Sequence, residues 1–212
     1  MPRCSWHRTA TVSPRCRVGG PMRRALLSVV AGFALLSSAR AAELEGVTLP
    51  DEQWIGRTEL RLNGIALRSY SVLQIPIYVG GLYLVHPDSD PERILRSTDM
   101  KLLDIRFLRD VDQERARAAW REGFDRNCDS PCDLSSAEVA RFLAAVPAVR
   151  KGDRFTILFT PSGAEISVNQ RPLGRIANRR FATVMLATFI GPHPPTSRVK
   201  RELLGSRTQA NG

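Results

Sequence analysis

The stretch Leu62-Asn-Gly-Ile-Ala-Leu-Arg68 and, after a short break, Ile75-Pro-Ile-Tyr-Val-Gly-Gly-Leu-Tyr-Leu84 decides the class of this fold. Its residues are β-branched, aromatic and aliphatic, with polar positions alternating among them, and its breaks are turn-forming. Thr58 to Leu62 reads as a strand ending at Asn63-Gly64, the strongest short hairpin dipeptide. Ala66 to Leu73 and Ile77 to Val85 read as two more strands, separated by Gln74-Ile75-Pro76. Side chains alternate along a strand, so Arg68, Tyr70 and Val72 share one face, and Tyr78, Gly80, Leu82 and Leu84 share another. Pairing about a turn near Leu73–Ile75 places Arg68 roughly opposite Gly80 and diagonal to Tyr78, at ~7–8 Å between backbones. The glycine then leaves open volume above the sheet. A guanidinium, a phenol and a space in an apolar setting suit a carboxylate or phenolate anion, because Arg is a fixed bidentate cation and Tyr adds a donor. In the competing reading Arg68 runs to solvent or to an acid, and Tyr78 merely fills the sheet.

Outward from this stretch, Asp90-Pro91 opens a short helix through about Ser97, with Asp as cap and Pro at the first helical position. Lys101 to Leu108 is a further strand. The period then changes: Asp110 is expected to cap a helix over Val111 to Arg126, with Ala116, Trp120 and Phe124 on one buried stripe. Arg117, Arg121, Glu122 and Arg126 form its mixed, solvated faces. Asp110 and Asp112 are read as a cap and a solvated acid rather than as a catalytic carboxylate pair. Ser135-x-x-Glu138 is a capping box ahead of a second helix. Phe155 to Phe159 and Ala164 to Asn169 make a hairpin about Pro161-Ser-Gly163. A helix from about Asn178 to Ile190 carries Phe181, Val184, Met185 and Thr188 on one face, and a last short helix covers about Thr196 to Leu204. Strands, then helices, then a hairpin and helices predict an α+β chain with an antiparallel sheet and helices to one side.

The 212 residues carry 31 Lys and Arg against 21 Asp and Glu, a formal charge of +10. Seven of those cations are arginines within residues 1–41, which contain no acid, so residues 42–212 carry only +3. That excludes the basic footprint of a nucleic-acid-binding protein. Met22-Arg-Arg24, the apolar run Ala25 to Leu36, and small residues at Ala39 and Ala41 are the three parts of a secretory signal peptide. The run is too short to cross the bilayer, which needs ~20 residues. Residues 1–41 are therefore expected to be a leader, with translation from Met22 and cleavage after Ala41. Residues 42–212 are left as a single exported domain, periplasmic or secreted, with no transmembrane segment. Cys128 and Cys132 are the two cysteines left after cleavage, with Ser130-Pro131 between them to make a turn. An even pair in an exported chain predicts a disulfide, with two free thiols as the alternative. The spacing fits neither a C-x-x-C redox site nor a zinc site, and no His lies nearby. No Walker loop, G-x-G-x-x-G, H-E-x-x-H or G-x-S-x-G occurs. His86 and His193 each sit in a Pro-flanked turn, so neither a metal nor a cofactor is called for.

The opening stretch resembles the chalcone isomerase superfamily, and within it the exported bacterial chalcone isomerase-like proteins. Lys101 to Asp110, Lys151-Gly-Asp153, the Phe181 to Gly191 helix and Leu203-Leu-Gly205 follow in matching order, so the resemblance covers roughly residues 44–205. It implies an open-faced β-sandwich: a large antiparallel sheet covered by a layer of helices, with a ligand cleft between them. It assigns Arg68 to the family's cleft arginine. Tyr78 falls where plant chalcone isomerases have a catalytic Thr and the fatty-acid-binding plant members have Tyr. Thr188 matches the Ser or Thr on the late helix that lines the cleft. The catalytic Tyr and Asn of the plant enzymes have no counterpart in Asp112 to Trp120, so chalcone cyclisation is not expected.

The resulting expectation is a non-catalytic protein binding a fatty acid or similar amphipathic anion through Arg68, Tyr78 and Thr188. Two alternatives are an isomerase or intramolecular lyase acting on a planar enone-type substrate and a scaffold with a vestigial cleft. The leader carries its own test. The exported protein is expected to begin at Ala42 by mass spectrometry; a start far from it, or failure to export a chain begun at Met22, refutes the leader reading.

Overall fold

The structure is a computed structural model that describes residues 41–71, 73–128 and 132–205. The expected leader, apart from Ala41, lies outside the described residues. β1 (Ala41–Leu44) and β2 (Val47–Pro50) form a hairpin of their own. β3 (Glu52–Ile55), β4 (Thr58–Tyr70), β5 (Ile75–Leu84), β6 (Lys101–Phe107), β7 (Arg154–Thr160), β8 (Gly163–Val168) and β9 (Arg171–Ile176) pair in chain order as one antiparallel sheet. Between β5 and β6 sits α1 (Pro91–Arg96). Between β6 and β7 come α2 (Gln113–Asn127) and α3 (Ser136–Ala145). After the sheet follow α4 (Arg179–Ile190) and α5 (Ser197–Leu203). This is the expected α+β open-faced sandwich.

The helices cover the front face. Leu82, Leu103, Ile105, Phe155 and Ile157 meet Phe124, Phe142, Phe181, Met185 and Val199 in one continuous core. Nine of the twelve residues of α4 are buried, which is why its apolar positions run nearly all round. Trp120 is the hub, with ring centroids 5.1 Å from Phe142, 5.6 Å from Phe124 and 5.7 Å from Phe189, all within the range of favourable aromatic pairing.

The back face is covered by the N-terminal strands. Leu49 packs on Leu67 and Val79, while Leu60, Tyr83 and Leu102 form a second cluster. The Tyr83 hydroxyl donates to the Pro50 carbonyl at 3.0 Å. Asp104 on β6 is wholly buried here. Its Oδ1 accepts from Arg106 Nε at 3.0 Å and Arg154 Nε at 3.1 Å, and its Oδ2 accepts from Arg154 Nη2 at 2.7 Å and Gln53 Nε2 at 3.2 Å. Gln53 belongs to β3, three strands away in sheet order, so the sheet curls to bring β3 across the back of β6.

Several local expectations are corrected. Asn63-Gly64 is not a turn; it lies inside β4, at a bulge against β5. The hairpin between β3 and β4 instead turns at Gly56-Arg57, with Gly56 at φ +62°. Asn63 is used to dock the end of the chain: its Nδ2 donates to the Leu203 carbonyl and its Oδ1 accepts from Asp88 N, both at 2.8 Å. A side chain at Gly64 would overlap the carbonyls of Glu202 and Leu203. α2 begins two residues later than expected, because Asp112 caps it through Arg115 N at 2.8 Å; Asp110 instead accepts from Lys151 N at 2.8 Å. Ser135 occupies the cap position of α3 without a side-chain bond. Glu138 bonds Asn178, the cap of α4, instead of closing a box.

Gly64→Ala is expected to cost about 1–3 kcal/mol in urea unfolding, the range for overpacking against unyielding backbone. Gly174→Ala on β9, where an added carbon meets nothing within 4 Å, should change stability by less than about 0.5 kcal/mol.

Candidate functional site

A cavity of about 800 Å³ opens between the front face of the sheet, α2, and the segment after α4. β4 and β5 supply its charged wall. The pairing register puts Arg68 directly opposite Tyr78, not opposite Gly80. The reason is that the turn falls earlier than expected, with Tyr70 already paired to Ile75, and that the register shifts by one between Arg68 and Ser69. A direct pair brings the two Cβ atoms to ~4.5–5.5 Å, closer than the expected diagonal. Gly80 faces Ala66, and an added carbon there would touch the Tyr78 ring at 3.6 Å, so that glycine does not open the volume. The room comes from α2, whose lining residues Ala116, Ala119 and Gly123 are small. Ile105, Phe155 and Phe189 make an apolar floor, with Trp120 beside them.

Arg68 makes no ion pair among the described residues. Its one hydrogen bond runs from Nη1 to the adjacent Ser69 carbonyl, at 2.6 Å. A guanidinium has five N–H donors, so most of them stay free for an anion in the cavity. The Tyr78 hydroxyl has no protein partner among the described residues, and its ring packs edge-on against Phe107 with centroids 6.0 Å apart. Burial pushes the Tyr78 phenol up to about 12, and the nearby Arg68 charge only partly offsets this. The phenol therefore stays protonated at neutral pH, as a donor.

Thr188 lines the cavity but is nearly buried, and its hydroxyl already donates to the Met185 carbonyl at 2.7 Å. An added carbon at Gly123 would meet Thr188 Cβ at 3.1 Å, so Thr188 also marks the close crossing of α2 and α4. The structure thus brings all three expected residues to one cavity, with Arg68 and Tyr78 facing it freely and Thr188 engaged mainly in packing.

Two residues that position the rim were not singled out in the sequence. Asn127, buried at the end of α2, donates from Nδ2 to the carbonyls of Gly123 and His193 and accepts from His193 N, which ties the Pro-rich segment after α4 to α2. Arg109, exposed beyond the end of β6, adds a second cation to the lining without an acidic partner among the described residues. Its signal was available: an arginine directly after an apolar strand whose neighbour, β5, carries Tyr78. Cys128 and Cys132 are joined in a disulfide with Cα atoms 5.2 Å apart, just past Asn127. Among the described residues no cluster of three metal-ligating side chains occurs, and no helix is long and apolar enough to cross a membrane.

A curled seven-stranded antiparallel sheet with a cleft under its helical layer defines a chalcone isomerase-type fold. The sequence matches the chalcone isomerase-like family over residues 41–205, and the chain belongs to that family. No curated protein matches the sequence. Among solved structures, a fatty-acid binding protein of Arabidopsis thaliana, AtFAP1, superposes with a TM-score of 0.66 over 78% of this chain and 96% of that one, at 14% identity. At that identity the likeness shows the fold.

Between pH 10 and 12 the folded protein holds a Tyr78 proton that the unfolded chain has lost, so this group lowers stability as pH rises across that window. The difference in tyrosinate absorbance between wild type and Tyr78→Phe, read after a rapid pH jump, is expected to have its midpoint near 12. A midpoint near the ordinary phenol value of about 10 contradicts the buried, protonated donor.

Proposed function

We propose that this is an exported, non-catalytic carrier that holds a fatty acid or similar amphipathic anion, with its carboxylate between Arg68 and Tyr78. The observation that carries the reading is the cross-strand pair itself. A guanidinium without an acidic partner faces a protonated phenol across one register position, at the wall of an apolar cavity. The cavity is of the size and character of small-ligand sites, which are mostly apolar with a few placed polar groups. The tail would lie along Ile105, Phe155 and Phe189 toward Trp120. The fatty-acid binding of the Arabidopsis structural neighbour supports the same ligand class.

Tyr78 as a persistent donor stabilises a bound carboxylate and is no base at neutral pH. The lining acids are also engaged. Glu122 pairs with Arg126 at 3.1 Å, and Asp110 accepts from Lys151 N. Export is supported by the three-part leader ahead of Ala41 and by the Cys128–Cys132 disulfide, a bond that persists in oxidising compartments.

Native mass spectrometry of the purified protein is expected to show a co-purifying acyl anion. In fluorescent fatty-acid displacement, Arg68→Ala should weaken binding by about 1.5–3 kcal/mol, the range for a hydrogen bond to a charged group, and Tyr78→Phe by about 1 kcal/mol. If no acyl anion co-purifies and no thermal shift appears with fatty acids of any chain length, the reading fails.

A further inference from the structure

We propose that the end of the sheet at the cavity mouth docks on a lipid bilayer with anionic headgroups, and that the amphipathic ligand is exchanged there. The inference deepens the carrier reading, on which it rests for the exchanged ligand. Three large hydrophobic side chains stand out as exposed among the described residues, and two of them, Tyr70 and Leu73, sit together at the β4–β5 tip. Leu73 is 77% exposed and Tyr70 64%.

The tip is a formed turn. Gln74 N donates to the Ser71 carbonyl at 3.1 Å, Leu73 N to Ser71 Oγ at 3.2 Å, and Ser69 Oγ to Gln74 Oε1 at 2.8 Å. Tyr70 and Leu73 lie among these hydrogen-bonded residues at the end of the sheet. The cavity opens beside it, since Tyr70 and Ile75 line both the tip and the cavity.

Charge supplies the complement. In an antiparallel meander the end of β4, the start of β5, the end of β6 and the start of β7 fall at one edge of the sheet. That edge carries Arg68, Arg109, Arg150 and Lys151, the last three exposed. None of these four makes an ion pair among the described residues. The acids beside them, Asp110 and Asp153, accept backbone N–H bonds from Lys151 and Arg150. At the other end of β5 and β6 the chain runs through Asp88, Asp90, Glu92 and Asp99. An aliphatic and a phenol tip ringed by cations matches the interface of an anionic membrane, where Tyr settles at headgroup level and each nearby cation adds attraction. A ligand leaving the bilayer would meet Arg68 at the entrance of the cavity.

The test uses the purified protein with mixed phosphatidylethanolamine–phosphatidylglycerol vesicles and with phosphatidylcholine vesicles. Co-sedimentation is expected with the first, at least about tenfold above the second, and is expected to be reversed by high salt. Leu73→Asp and Lys151→Glu, neither of which lines the cavity, should each reduce vesicle binding several-fold. Both should leave fatty-acid affinity in vesicle-free buffer unchanged. Transfer of a fluorescent fatty acid to vesicles should accelerate with vesicle concentration for wild type and become independent of it for Leu73→Asp.

Equal sedimentation with both vesicle types, or undiminished binding by Leu73→Asp, overturns the proposal. So does a wild-type dimer that Leu73→Asp dissociates without any vesicle binding, which would make the tip an interface between copies. Vesicle binding without fatty-acid binding in free buffer would instead refute the carrier reading and leave the docking surface standing.

Discussion

A carboxylate with no contact to water has to be met by donors on both oxygens, or its burial costs several kcal/mol. Asp104 is such a carboxylate, and its four close donors come from β3, β6 and β7. Satisfying it requires β3 to lie over strands it does not pair with, so the sheet must curl. The same requirement places Pro50 over Tyr83 and seats the β1–β2 hairpin on the back face. With the back closed by short strands, the front is left to the helices. The cavity is what remains beside Trp120, where α2 presents the small residues Ala116, Ala119 and Gly123 to the sheet.

The site follows from how two charged or polar groups are treated within one apolar face. Arg68 and Tyr78 are opposed by strand pairing, which is rigid, while the ligand's tail would meet side chains from sheet and helices. Thr188 shows the other possibility: a polar residue at the same cavity whose hydroxyl is spent on its own helix. Positioning by register rather than by loops gives the Arg–Tyr pair its fixed separation.

Much of this was legible in the sequence. The 3.6-residue pattern of Phe181, Val184, Met185 and Thr188 marked α4, and alternation marked β5 to β8. Alternation also put Arg68 and Tyr78 on one side of neighbouring strands, although the earlier turn and the irregularity at Ser69 shifted their register. The sign that misled was Asn63-Gly64. Its local turn preference is overridden by a tertiary demand, the approach of Leu203, which sequence periodicity does not encode. β1, β2, β3 and β9 pair with their chain neighbours across two-residue turns, but they are short and half-polar, so their alternation was too weak to announce them. Asp104 stood in an apolar strand, but its burial depends on Gln53 and Arg154, 51 and 50 residues away.

The seating of Leu203 against β4 also has a kinetic side. Asn63 and Leu203 are 140 residues apart, and Glu202 reaches Leu67 N across 135. These are the hydrogen bonds of longest sequence separation among the described residues. Until α5 docks, Asn63 lacks its carbonyl partner and the groove at Gly64 is unfilled. Folding dominated by such distant pairings is slow. The latch on β4 is therefore among the slow contacts to form, because it depends on α5, the element farthest from β4 along the described chain.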